Sequence, residues 1–210
     1  MENLLKKVYP KLLTKLIFHI NIPIWIFIFT FAIYLHNLSP SVYGGDSGDF
    51  LAAVATRGIP HPSGYPLYTL LGILFTSLPG PFTFAWKYGV VSALFSALSA
   101  VLMYLIVYGL VKKRSLALAT SFILALTYSF WLYAETVEVF ALQSALILSL
   151  ILTTLKYIDS KKSKYLYWLA FLIGLSLTNN LSIVILFPSI ISAVILVYQN
   201  LDKEEIYYIN

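Results

Sequence analysis

Apolar runs of roughly twenty residues recur along this chain, and short clusters of lysine separate them. A single helix needs about 20 apolar residues to cross the hydrocarbon core of a bilayer. Of the 210 residues, 60% are hydrophobic and 11% are charged, whereas a soluble domain has roughly 25% charged residues. The chain is therefore predicted to be an all-α, polytopic membrane protein.

The runs predict one transmembrane domain, residues 1–210, with about six spans and a long external loop at residues 36–85. Within that loop, residues 66–78 are apolar but too short for a crossing, which predicts a re-entrant or interfacial helix. The second span carries a face of small residues that suits close helix packing. The six predicted spans are residues 16–35, 86–111, 116–133, 139–157, 165–178 and 181–198.

The lysine clusters predict the orientation of the spans, because cytoplasmic loops carry an excess of Lys and Arg. With the amino terminus in the cytoplasm, only Arg57 and Lys87 of the 14 basic residues lie outside, which leaves 12 inside. The net charge of +5 is thus a topology signal and predicts no nucleic-acid partner. The loop at 36–85 is expected on the non-cytoplasmic face, in the cell membrane or, in a eukaryote, the endoplasmic reticulum. The basic residues predicted inside are Lys6, Lys7, Lys11, Lys15, Lys112, Lys113, Arg114, Lys156, Lys161, Lys162, Lys164 and Lys203.

The absence of cysteine and the spacing of the histidines limit the cofactors and metals that the chain could bind. The chain has no cysteine, which excludes disulfides, thiol nucleophiles and Cys-ligated zinc or iron–sulfur sites within it. No pair of histidines has metal-ligand spacing, so no metal site is assigned. A divalent cation shared by Asp46 and a second carboxylate is left open.

The polar interval at residues 43–68 carries most of the candidate chemistry. Its plainest interpretation is a short helix that Asp46 caps, with Asp49 in the first turn, Gly58 as the left-handed C-terminal residue and Pro60 beyond it. The apolar positions of this helix recur on one face, which predicts that it lies along the membrane surface.

A functional interpretation of the same interval stands beside the structural one. Residues three apart on a helix are neighbours, so Asp46 and Asp49 would share one spot, where close carboxylates raise one pKa and create a base. Arg57 and His61 follow as candidate ligands for a phosphate. His61 lies between Pro60 and Pro62, which nearly fix its backbone.

Three further polar positions carry weaker signals. Glu135 and Glu138 are either first-turn acids of the fourth span or a second acidic contribution to the external site. Asn180, with Asn179, is either a turn or part of the site. Gln143, inside the fourth span, is expected to hydrogen-bond a neighbouring helix.

Several segments, in order, resemble a known family: GGDSGDF, GIPHPSGYPLY, AETVEVFAL and GLSLTNNLSIVILFP. They are similar to domain-of-unknown-function family 2723, whose better-known members are protein O-mannosyltransferases of the glycosyltransferase C fold. The resemblance covers roughly residues 46–188. It implies a membrane glycosyltransferase bundle that takes a polyprenyl-phosphate sugar, mannose or another hexose, and an acceptor hydroxyl, most simply on protein.

The resemblance also assigns roles. Asp46 matches the acidic residue of the first external loop that acts as base, and Asp49 matches the second acid. Glu135, Glu138, His61 and Asn180 match further motif positions, which are expected to line the substrate site. Arg57, as a candidate phosphate ligand, and Tyr65 are predicted to bind substrate with them. Enzymes of this fold have more helices, which predicts a truncated, split or degenerate member, with a second chain completing the fold. The alternative is a non-catalytic transporter or scaffold subunit, although ionisable groups collected at one face favour an external site over a conduit.

Overall fold

The structure is a computed structural model that describes residues 21–209, with side-chain surroundings defined for residues 21–199. That part of the chain is helical and contains no strand. The predicted basic residues Lys6, Lys7, Lys11 and Lys15, and residues 16–20 of the predicted first span, lie outside the described residues, as does the Lys203 side chain. The helices are α1 (described from Asn21 to Asn37), α2 (Ser47–Thr56), α3 (Pro66–Thr76), α4 (Phe84–Val111), α5 (Arg114–Leu126), α6 (Tyr128–Ala134), α7 (Phe140–Ser160), α8 (Lys164–Leu177), a 3₁₀ helix (Leu181–Leu186) and α9 (Phe187–Ile209).

Helix α4 is the centre of the bundle and packs against α3, α5 and α7. Its first turn is capped by the Thr83 hydroxyl, which accepts a hydrogen bond from the Trp86 N–H at 3.1 Å. Its end is set by Lys112, which takes a left-handed conformation with φ 57°. The predicted small-residue face is confirmed, because all of its members are buried between helices: Ser92, Ala93, Ser96, Ala97, Ser99 and Ala100.

Three of the predicted spans are long and apolar enough to cross a membrane. They are Phe84–Val111, Phe140–Ser160 and Leu181–Gln199. The predicted third span, residues 116–133, is not one straight helix: α5 and α6 meet at a 66° bend. The break falls at Thr127, whose extended backbone (φ −63°, ψ 133°) ends the helical geometry, while its hydroxyl bonds the Ile123 carbonyl at 2.6 Å.

Two apolar helices are too short to cross alone. At about 1.5 Å per residue, the 14 residues of α8 and the 11 of α3 fall well below the roughly 30 Å of a hydrocarbon core. The predicted fifth span, residues 165–178, therefore lacks the length of a perpendicular crossing. Whether α3 is re-entrant or interfacial stays a prediction.

Helix α2 differs from the prediction in the environment of its apolar face and in the residue that ends it. Its apolar face, Phe50, Leu51, Ala53 and Val54, is buried in the protein core rather than laid along a membrane surface. The competing force is packing: Gly72 lets α3 approach so closely that a β-carbon there would lie 2.8 Å from Val54 and 2.5 Å from a ring atom of α4. The left-handed C-terminal residue of α2 is Arg57 (φ 52°), not Gly58.

Candidate functional site

The amino-terminal end of α2 places Asp46 at the edge of the site. Asp46 holds the N-cap position, but its carboxylate makes no capping hydrogen bond and its side chain is 56% exposed. The predicted side-chain cap is therefore wrong, and the carboxylate is available to a ligand. The Asp46 backbone N–H instead donates to Glu138 Oε1 at 3.1 Å, which fixes this end of α2 on the junction of α6 and α7.

Asp49 lies in the first turn of α2, as predicted, and its carboxylate contacts His61. One oxygen, Oδ2, accepts the His61 backbone N–H at 2.8 Å and lies 2.7 Å from His61 Nδ1. These two contacts hold the pKa of Asp49 below its ordinary value. Asp49 is therefore ionised and has its hydrogen-bonding capacity partly used within the protein.

The His61 ring joins the two aspartates. Its second nitrogen, Nε2, lies 3.7 Å from Asp46 Oδ2, and the His61 side chain is 35% exposed. The structure thus brings Asp46, Asp49 and His61 into one cluster, termed here the acid–imidazole cluster. At 3.7 Å the Asp46 contact is longer than a direct hydrogen bond.

Aromatic rings support the acid–imidazole cluster on one side. The Phe50, His61 and Tyr65 ring centroids lie 5.1 to 5.6 Å apart in edge-to-face and tilted arrangements. Tyr65 has a left-handed backbone (φ 42°, ψ 53°) directly before Pro66, a conformation that bulky residues rarely adopt. Burial, reinforced by the negative charges of Asp46 and Glu138, raises the pKa of the Tyr65 phenol.

Glu138 is the buried residue that accepts the hydrogen bond from the Asp46 N–H. It is 4% exposed and is the only charged side chain that is buried in the described part of the chain. Its Oε2 atom has no hydrogen-bond partner. Burial raises the pKa of this carboxyl, while the Asp46 N–H and His61 act in the opposite direction and Asp46's charge adds to the increase.

A buried hydroxyl chain holds the backbone of Glu138 in place. Ser92 Oγ donates to the Glu138 carbonyl at 3.3 Å and lies 2.9 Å from the Tyr68 hydroxyl. Tyr88 in turn donates to the Tyr68 carbonyl at 3.2 Å. Sequence reasoning gave Ser92 only a packing role, since a serine on a small-residue face carries no signal of a polar contact.

Two predicted positions lie apart from the acid–imidazole cluster. Arg57 is exposed at the far end of α2 and forms no ion pair with a described residue. At about 1.5 Å per helical residue, it lies roughly 16 Å along the helix from Asp46. Glu135 is half-buried beside Asn37 and Trp131, and no hydrogen bond or ion pair connects it to the cluster among the described residues. Burial raises the pKa of Glu135.

The two adjacent asparagines have different structural roles. Asn180 caps the 3₁₀ helix, its Oδ1 accepting the Ser182 N–H at 2.9 Å. The turn that contains it lies beside the start of α3, because the Leu67 N–H donates to the Thr178 carbonyl at 3.0 Å. Asn179 is buried and donates to Gln143 Oε1 at 3.0 Å. Gln143 therefore makes a hydrogen bond across the bundle, but its partner lies in the turn after α8 and not within a neighbouring helix as predicted.

The described residues contain no group of three His, Asp or Glu side chains arranged to hold a metal ion. The cluster offers Asp46, with one free carboxylate, and His61, whose Nδ1 is already engaged by Asp49. A divalent ion at this site stays a prediction.

The helices and the cluster together define a class: an all-helical membrane protein with an acid–imidazole cluster where α2 meets the junction of α6 and α7. A family model described as the Protein O-mannosyl-transferase TMEM260 N-terminal domain matches residues 46–205. The chain belongs to this family. The predicted resemblance to protein O-mannosyltransferases is thereby confirmed.

Curated relatives agree with the family match. The chain is 26% identical over 176 residues to Protein O-mannosyl-transferase tmem260 of Dictyostelium discoideum, covering 77% of this chain and 22% of the relative. It is 30% identical over 158 residues to Protein O-mannosyl-transferase TMEM260 of Mus musculus, covering 73% of this chain and 22% of the relative. The chain thus spans about a fifth of the length of these relatives. No solved structure matches it significantly.

Proposed function

We propose that this chain forms part of a membrane glycosyltransferase that moves mannose or another hexose from a polyprenyl-phosphate donor to a protein hydroxyl. The observation that carries the proposal is the free carboxylate of Asp46, anchored through its backbone by buried Glu138 and faced by His61 Nε2 at 3.7 Å. The names of the relatives, which are protein O-mannosyl-transferases, support the choice of sugar and acceptor.

The Asp46 carboxylate acts as the general base. It removes the proton of the acceptor hydroxyl as that oxygen attacks the anomeric carbon of the sugar. The bond between the anomeric carbon and the phosphate oxygen breaks, and the lipid phosphate leaves with the bonding electrons. Attack opposite the leaving group inverts the anomeric centre, and the proton ends on Asp46.

The surroundings of Asp46 supply the other requirements. His61 Nε2, when protonated, donates a hydrogen bond to the developing phosphate charge, since donors aimed at developing charge stabilise a transition state. Arg57 lies too far along α2 to contact the same phosphate oxygens as His61. We therefore propose that Arg57 contacts parts of the donor farther from Asp46. Glu138 keeps the first turn of α2 in place, and Tyr65 lines the site beside His61.

A lipid-carried donor fits the position of the cluster. The short helix α3, which leads away from Tyr65, exposes Leu70 and Leu74. An exposed apolar flank beside a polar site suits a molecule with a phosphate head and a polyprenyl tail. We further propose that the bundle is the amino-terminal portion of a glycosyltransferase C-like fold, with the cluster on the non-cytoplasmic face.

A transfer assay tests the proposal. Membranes that contain the protein are incubated with radiolabelled polyprenyl-phosphate mannose and a protein acceptor, and Asp46→Asn is compared with wild type. Loss of a general base is expected to lower transfer by about 10²- to 10⁴-fold. Asp159→Asn, which removes an exposed acid at the end of α7, serves as the matched control and is expected to retain activity.

Two results would contradict the proposal. Equal transfer by Asp46→Asn and wild type removes Asp46 from the mechanism. Absence of transfer by folded wild-type protein, with polyprenyl-phosphate glucose as well as mannose, favours the non-catalytic scaffold or transporter.

A further inference from the structure

We propose that Asp49 is a positioning residue, not a second base: its carboxylate holds the His61 ring with Nδ1 protonated and thereby turns Nε2 toward Asp46. The role of this arrangement in catalysis rests on the proposed function. The arrangement itself rests on the contacts of Asp49 and His61 alone.

The hydrogen-bond geometry fixes which nitrogen carries the proton. Asp49 Oδ2 lies 2.7 Å from His61 Nδ1 and 2.8 Å from the His61 backbone nitrogen. An ionised carboxylate only accepts hydrogen bonds. Nδ1 must therefore be the donor, which leaves Nε2 as the nitrogen whose protonation state is free to change.

The free nitrogen faces the proposed base. His61 Nε2 lies 3.7 Å from Asp46 Oδ2, too far for a strong direct hydrogen bond. A substrate placed beside both groups can present its hydroxyl to Asp46 and its phosphate oxygen to Nε2, which donates to that oxygen once it is protonated. Rotating the imidazole ring would turn Nε2 away from the phosphate.

The remaining contacts of His61 do not distinguish its two nitrogens. Phe50 and Tyr65 pack against the ring at centroid distances of 5.6 and 5.1 Å. Pro60 and Pro62 restrict the backbone on either side. These residues keep the ring in the site, and of the two carboxylates beside it Asp49, at 2.7 Å from Nδ1, makes the closer contact and selects the tautomer over Asp46, at 3.7 Å from Nε2.

The test reads the tautomer directly. Nitrogen-15 spectra are recorded on protein labelled at histidine, in membranes, at a pH above which the histidine signals no longer change. The sequence has only 3 histidines, so His61→Gln assigns the His61 signals by subtraction. Wild type is expected to show a protonated, pyrrole-type Nδ1 and an unprotonated Nε2.

Two Asp49 variants test whether the carboxylate, and not merely a side chain of similar size, sets the tautomer of His61. Asp49→Leu removes the acceptor and is expected to shift the His61 proton to Nε2, the tautomer that free imidazole side chains prefer in water. Asp49→Asn keeps the size of the side chain, but its amide can donate to Nδ1 as well as accept from it, so it is expected to show a smaller fraction of the wild-type tautomer than the aspartate does. Because the Asp49 side chain is 46% exposed, both variants are expected to fold.

Activity provides the second measurement. Asp49→Leu is expected to lower kcat for sugar transfer by about tenfold to a hundredfold, with KM nearly unchanged, and Asp49→Asn is expected to lower kcat in proportion to its loss of the wild-type tautomer. An unprotonated Nδ1 in wild type, or an unchanged tautomer in Asp49→Leu, overturns the proposal. A loss of kcat that does not follow the fraction of the wild-type tautomer across the two variants overturns the positioning role. Should wild type show no transfer while the spectra behave as expected, the proposed function fails and the tautomer assignment holds.

Discussion

The backbone N–H of Asp46 donates a hydrogen bond to the carboxylate of Glu138, and 92 residues of chain separate them. The acceptor is almost completely buried, so this contact cannot be replaced by water at little cost. It joins the first turn of α2 to the junction of α6 and α7. The position of the proposed base therefore depends on a carboxylate contributed by the other half of the bundle.

Replacing Glu138 with leucine is expected to destabilise the protein by about 1 to 3 kcal/mol, because the Asp46 N–H loses its acceptor in a partly buried setting. Glu138→Gln keeps an acceptor oxygen and removes a charge that burial disfavours, so it is expected to lie close to wild type. Thermal unfolding in detergent measures both. Equal losses for the two variants would show that the acceptor oxygen is not what stabilises this junction.

Gly45 makes the close approach of Glu138 possible. A β-carbon at Gly45 would lie 2.7 Å from Glu138 Oε1, and the residue has φ +72°. Gly45→Ala is therefore expected to lose about 1 to 3 kcal/mol from backbone strain, together with the displacement of Glu138. Gly44→Ala is the matched control, because nothing lies within 4 Å of its added carbon. Similar unfolding temperatures for the two variants would contradict the close approach.

Features set by local sequence were predicted well. The apolar runs that became Phe84–Val111 and Phe140–Ser160 are long enough to be recognised by length alone. The small-residue face of α4 and the first-turn position of Asp49 follow from helical spacing. Each depends only on residues a few positions apart, so no knowledge of the fold was needed.

Features set by tertiary packing were not predicted. The run at residues 116–133 is apolar throughout, and nothing in its composition marks Thr127 as the site of a 66° bend. Arg57 looked close to Asp46 in sequence, but the helix between them separates the two by roughly 16 Å at 1.5 Å per residue. Asn179 and Asn180 have identical side chains, and sequence alone does not show that the first bonds the distant Gln143 while the second caps the 3₁₀ helix.

The buried pair of Gln143 and Asn179 is expected to show strong coupling. Each amide leaves the other without its partner when removed, so Gln143→Leu or Asn179→Leu alone should cost about 1 to 3 kcal/mol. Each side chain already has one unpartnered atom, Gln143 Nε2 and Asn179 Oδ1. The double variant should therefore cost clearly less than the two single losses added, as determined by a double-mutant cycle of unfolding free energies. Additive losses would show that the two amides act independently.

Glu138 is expected to give stability a distinctive pH dependence. Its pKa is raised in the folded protein, mainly by burial, so the folded state binds more protons than the unfolded state above the ordinary Glu value of about 4.3. Stability from this group is therefore present at low pH and is lost as pH rises through the raised pKa. The hydrogen bond from the Asp46 N–H and the nearby His61 decrease this shift in pKa, while the charge of Asp46 increases it. Unfolding temperatures measured against pH should fall less steeply in Glu138→Gln than in wild type.

Glu135→Gln is the comparison variant for this pH effect. Glu135 also has a pKa raised by burial, but it lies beside Asn37 and Trp131 rather than Asp46. Combining the two substitutions should flatten the profile further than either alone. A wild-type slope that persists unchanged in Glu138→Gln would assign the effect to other groups.

The orientation of the bundle can be tested by labelling single cysteines. The 210 residues contain no cysteine, so an introduced thiol within them has no background. Ser63, exposed beside His61, and Lys162, exposed between α7 and α8, are suitable positions. Because 12 of 14 basic residues fall on the side assigned to the cytoplasm, Ser63→Cys should react with a membrane-impermeant maleimide in intact cells or sealed vesicles of matching orientation. Lys162→Cys should react only after permeabilisation, and the reverse pattern would place the acid–imidazole cluster in the cytoplasm, away from the face on which the proposed transfer occurs.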